Sequence, residues 1–266
     1  AGGYLFYVFS AASGNSGMIL PCSKGNKESR MPRHHASRGI LVLESPWELD
    51  EHDANRSSVV PFIEGIAKVA GDTEVYYANF YDKTSFHTAL HCLCKIPFKN
   101  IIIYVAAHGQ GKKLGGTHIR DVLVPIGKLS HHFNITGLLL GACFVGAHTD
   151  LIETFTSGNH LRWCAGYASE TEWLTGTLID CAIINQMLSL KKSAFADRDT
   201  IIENLALAIS PFHDKYAIGR DTHGKPMQLR DAFQCVVQPS GQGHKPRTVS
   251  DKIFQRAGQL RRQDIE

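Results

Sequence analysis

"GLLLGACFVG" (137–146) is an apolar run that stops at a small turn holding Cys143, and "IIIYVAAHGQG" (101–111) stops in the same way at His108-Gly109. A cysteine and a histidine at the ends of two neighbouring strands could serve as a nucleophile and its general base, whereas either alone reads as a core cysteine or an ordinary polar strand end. The thiol needs that partner. A free cysteine has a pKa near 8.5, so only about 3% is thiolate at pH 7. Bringing it to about 6 takes roughly 3.4 kcal/mol of selective anion stabilisation. A helix beginning soon after Cys143 supplies about 0.3–2 kcal/mol. A neighbouring imidazole supplies the rest and can later protonate a leaving amine. Gly109 lets the chain turn beside His108, and its N–H, with that of Cys143, could donate to a developing oxyanion. Gly141 and Ala142 would leave room for an extended peptide at the strand end.

The elements around these residues read as an alternation. Continuous apolar runs predict strands at 39–45, 73–80, 99–109, 135–143 and 161–167. Helical spacing fills the intervals at 57–71, 84–94, 147–158, 171–190 and 198–210. "LGGTHI" and "VLVPI" suggest a small hairpin, followed by a short helix from 126 to 133. "YAIGRD" and "AFQCVVQP" read as late strands, and "RDTHGKPMQLRD" as a loop. Strands apolar on both faces and separated by helices predict an α/β three-layer sandwich, with a mainly parallel central sheet and helices on both faces. Ligands of such sheets bind beyond the carboxyl ends of the strands, where His108 and Cys143 both fall. Residues 1–38 read as an N-terminal segment or linker, 39–238 as the domain, and 239–266 as a polar tail with a short helix.

A strand ending in His-Gly, a hairpin insertion, then a strand ending in Ala-Cys resembles the caspase-like cysteine peptidases: caspases, metacaspases, legumains, gingipains and CHAT-domain proteases. "VAAHG" and "LLLGACFVG" carry the resemblance, which spans 39–238 in element order. It implies Cys143 as nucleophile, His108 as general base and acid, and the N–H groups of Gly109 and Cys143 as oxyanion hole. It implies a protein or peptide substrate cleaved through a thioester, and an activating partner is compatible with it. Caspases proper carry Gln-Ala-Cys-x-Gly with the histidine about 50 residues upstream. Here Gly141-Ala142-Cys143-Phe144-Val145 follows His108 by 35 positions. The shorter insertion suits a compact bacterial or CHAT-like member, and specificity for Asp does not carry over. In relatives that cleave after Arg or Lys, an acid just past the strand following the cysteine lines the P1 pocket. That segment here is "CAGYASETEW", so Glu172, Glu170 and Ser169 are the substrate-binding candidates, with a basic P1 side chain expected. Acids are also favoured at a helix start for purely structural reasons. Glu44 or Ser45, at the end of the first strand, is the candidate to orient the histidine. A basic P1 would make "SKGNKESRMPRHHASR" a self-cleavage candidate.

Bulk properties narrow the alternatives. The 266 residues are 43% hydrophobic and 20% charged, enough to bury a core without disulfides or metal. A net charge of +3 argues for neither nucleic acid nor membrane binding. Seven cysteines, an odd number without a CxxC pair, point to a reducing compartment and a cytoplasmic location. "YLFYVF" does not read as a signal peptide. His34-His35 and His131-His132 lack partners at metal-ligand spacing, so neither metal nor cofactor is expected. No GxSxG, GxGxxG or phosphate loop is present, and "GQGKK" is a faint hint of a flavodoxin-like binder. The competing functional class is a catalytically inactive binding or scaffold module of the same fold.

Overall fold

The structure is a computed structural model in which residues 36–46, 58–96 and 98–263 are described. The segment 1–35, with His34-His35 and all of the self-cleavage candidate but Ala36-Ser37-Arg38, lies outside the described residues.

Strand β1 (Arg38–Glu44), helix α1 (Val60–Ala70), β2 (Thr73–Asn79), α2 (Lys83–Leu93) and β3 (Asn100–Ala106) alternate as expected. A three-stranded ribbon follows: β4 (Gly109–Gln110), β5 (Lys113–Leu114) and β6 (Thr117–His118). Then come α3 (Ile119–Phe133), β7 (Ile135–Gly141), α4 (Thr149–Thr156), β8 (Trp163–Tyr167), α5 (Trp173–Leu188) and α6 (Arg198–Ile209). A two-stranded ribbon, β9 (Ala217–Arg220) and β10 (Pro226–Gln228), precedes the short α7 (Leu229–Ala232), β11 (Phe233–Val237), β12 (Arg247–Thr248) and α8 (Ser250–Gln263). The central sheet runs β12-β11-β8-β7-β3-β1-β2, parallel from β2 to β8 and antiparallel across β11 and β12.

Side chains alternate across the sheet and build two cores. Ile40, Val42, Ile102, Tyr104 and Leu139 pack with α1, α5, α6 and α8. Leu41, Leu43, Ile103, Leu138 and Leu140 pack with α2, α3 and α4. The result is the three-layer α/β sandwich, with helices on both faces of a mainly parallel sheet.

Two local readings are corrected. "VLVPI" is not part of a hairpin but the second turn of α3, which starts at Ile119 rather than 126. Ile119, Val122, Leu123 and Ile126 are all buried, the i, i+3, i+4, i+7 pattern of a helix face, and Pro125 lies inside that helix. "RDTHGKPMQLRD" is a loop only at its start, since it contains β10 and leads into α7. At the chain end the helix is long, and Ile253, Phe254 and Ala257 of α8 are buried in the core that α6 shares.

Candidate active site

The β3–β7 pairing puts Ala106 opposite Gly141, so His108 and Cys143 each lie two residues beyond one rung of the ladder. Both line a single cavity of about 430 Å³ at the carboxyl edge of the sheet. His108 is exposed and Cys143 half-buried. Gly109 is fixed by close approach: a Cβ on it would fall 1.9 Å from the Cys143 carbonyl oxygen and 2.6 Å from the Cys143 nitrogen. The backbone of the histidine turn is thus pressed against that of the cysteine turn. Immediately after the thiol, Phe144 sits in the left-handed region with φ +65°, an uncommon place for a bulky residue. Its N–H donates to the Ser169 carbonyl at 3.1 Å, which ties this turn to the end of β8.

Burial pushes the Cys143 thiol above its ordinary range and the Glu170 carboxylate adds to the rise, against the N–H groups of Thr171 and of Cys143 itself. This differs from the depressed value that the sequence suggests. Between Cys143 and α4, which begins at Thr149, lies a 3-10 turn, Val145–Ala147, so the thiol is not at the helix mouth.

The other expected residues divide by what their side chains do. Glu170 and Glu172 line the cavity and are exposed. Their N–H groups donate to the carbonyls of Arg220 and Ile218, both at 2.8 Å, so β9 runs alongside this segment. The Glu172 carboxylate also caps α5, accepting from the N–H and hydroxyl of Thr175. Ser169 is fully buried and is not among the lining residues, its hydroxyl turned onto the Glu170 carbonyl at 2.7 Å. Glu44 is buried and accepts from the Ser58 hydroxyl at 2.7 Å and the Val59 N–H at 2.9 Å, at the start of α1. The Ser45 N–H donates to the Ala106 carbonyl at 2.9 Å, and its side chain fills the space that the missing Cβ of Gly115 leaves. Gly141 lines the cavity and also makes room for Tyr104: a Cβ there would meet the Tyr104 ring at 2.5 Å.

That ring leads to a residue the sequence reading missed. Tyr104 and Tyr167 each donate a hydroxyl to Asp180 at 2.7 Å, and all three are buried while lining the cavity. Burial dominates the two hydrogen bonds and pushes the Asp180 carboxyl up to about 7. Among the described residues no cation pairs with it. The available signal is that Asp180 is the one acid or base in 173–190, an otherwise apolar or neutral polar stretch. Two further polar atoms at the cavity, Thr171 Oγ1 and Trp173 Nε1, are buried without a hydrogen-bond partner among the described residues.

The chain is similar to solved cysteine proteases. One is a secreted cysteine protease of Bacteroides thetaiotaomicron in complex with an irreversible peptide inhibitor, 11% identical with a TM-score of 0.42 over 76% of this chain and 66% of that one. Another is caspase-1 of Spodoptera frugiperda, 10% identical with a TM-score of 0.46 over 82% of this chain and 92% of that one. The chain therefore spans just under two thirds of the Bacteroides protein's length. It matches no protein-family model and no curated protein.

No described helix is long and apolar enough to cross a membrane. The six described cysteines are free.

Proposed function

We propose that this protein is a cysteine endopeptidase of the caspase-like type that cleaves after a basic residue. The observation that carries the reading is one cavity holding a histidine, a cysteine and, at its buried end, a carboxylate with no cationic partner among the described residues. Cys143 Sγ attacks the scissile carbonyl carbon while His108 takes its proton, a transfer the thiol needs all the more because burial raises its pKa. The N–H groups of Gly109 and Cys143 stabilise the tetrahedral oxyanion. The imidazolium then protonates the departing amine, leaving a thioester that water hydrolyses with His108 as base. Glu44 or Ser45 at the end of β1 serves to orient the imidazole.

The P1 side chain enters between Glu170 and Glu172 at the mouth and reaches Asp180 at the base. A guanidinium or ammonium there would meet the one buried carboxylate of the cavity, a charge-assisted pairing in a low-dielectric site. Thr171 Oγ1 and Trp173 Nε1 gain a partner when a peptide lies along the cavity wall.

The test is a panel of fluorogenic peptides varied at P1 and assayed with the wild type, Cys143→Ala and His108→Ala. The reading requires cleavage after Arg or Lys that both variants lose. Folded wild type that cleaves no member of the panel, with Cys143 no more reactive than the other thiols, would instead support an inactive binding module.

A further inference from the structure

A second cavity, of about 570 Å³, lies at the opposite edge of the sheet, where β1, β3, β7 and β8 begin. Five of its lining side chains are cationic, Arg38, Lys99, Arg162, Lys191 and Lys192, and only Asp72 is anionic. That carboxylate is already engaged by the hydroxyl and N–H of Ser37. Arg38 is spent on the carbonyls at the end of α1, donating to Ala70 and Gly71. Lys99 shares the field of that same Asp72, which leaves one described carboxylate in the cavity for five cations. Arg162 is 9% exposed, yet among the described residues its guanidinium meets only the Pro239 carbonyl at 3.4 Å and the His160 Nδ1 at 3.1 Å. No carboxylate pairs with Arg162, Lys191 or Lys192 among the described residues. Buried charges are ordinarily paired, because desolvating a lone one is costly. The strain shows in the neighbours: burial, Arg162, His131 and Lys192 together hold His160 down to about 4.

We propose that this cavity is a binding site for a small phosphorylated anion, held by Arg162, Lys192 and Lys99. A buried guanidinium offers the forked donor geometry that suits a phosphate oxygen pair, and flexible lysines at the rim supply point charges around it. The cavity is far larger than a single chloride requires. The site stands apart from the cavity of Cys143, so its occupation does not depend on the peptidase reading.

The probe is inorganic pyrophosphate, titrated into the full chain by calorimetry, against sodium chloride of matched ionic strength. The site predicts saturable binding with pyrophosphate that chloride does not reproduce. Lys192→Gln, an exposed change that leaves the core intact, should weaken it about tenfold, as loss of one charge-assisted contact does. Arg162→Met should abolish it, and Cys143→Ala should leave it unchanged. A response equal to that of chloride, or pyrophosphate binding that survives Lys192→Gln and a folded Arg162→Met undiminished, would overturn the site.

Discussion

At the residue scale the account rests on how two ionisable groups are tuned. Cys143 is pushed up by burial and by Glu170, so its alkylation by iodoacetamide should rise only as pH climbs into the alkaline range. Glu170→Gln removes the second cause and should move that profile to lower pH, which a stopped alkylation series followed by mass spectrometry reads directly. Asp180 is likewise pushed up by burial. Its folded value near 7 lies above the unfolded value, so the folded state holds the proton more tightly between the two. The stabilisation is complete below the unfolded value and is lost as pH rises through about 7. Wild type should therefore lose stability relative to Asp180→Asn as pH rises from about 4 to 7 in parallel denaturant melts. A basic P1 group favours the ionised form. Asp180→Asn should lower kcat/KM for Arg and Lys substrates by roughly 10–100-fold while sparing a peptide with a neutral P1. An equal loss on both substrates would remove Asp180 from specificity.

At the element scale the decisive feature is the register of β3 against β7, which sends two strand ends to one edge. Gly109 is the point of closest contact between the two turns. Gly109→Ala would drive a Cβ into the Cys143 carbonyl, and the expected result is a loss of roughly 1–3 kcal/mol in thermal or urea unfolding with a fall in kcat. Apolar runs bounded by polar turns made these strands legible from sequence, because a parallel sheet covered on both faces needs such runs. Helix α3 was not so legible. Its Val-Leu-Val-Pro stretch is rich in strand-forming residues, and its helical period emerges only when Ile119 is counted with it. Strand β9 was legible in "YAIGRD", but its partner β10 was not, being three residues long, largely exposed and outside the main sheet.

At the scale of the whole molecule the sheet carries cavities on opposite edges, an acidic one beside the thiol and a basic one beneath the strand starts. The first was readable because its key groups end hydrophobic runs. Asp180 was not, since its place in the site depends on Tyr104 of β3 and Tyr167 of β8 converging on α5 from distant positions. The same holds for the basic cavity, where Lys99, Arg162 and Lys192 meet only once β3, β8 and the turn after α5 have packed. The central claim concerns one sulfur and one imidazole, and a peptide electrophile ending in arginine tests it most directly. Intact mass and peptide mapping should find a single adduct, on Cys143, formed at least about 10³-fold more slowly in His108→Ala. Adducts spread over several cysteines, or labelling of Cys143 at an unchanged rate without His108, would contradict the account.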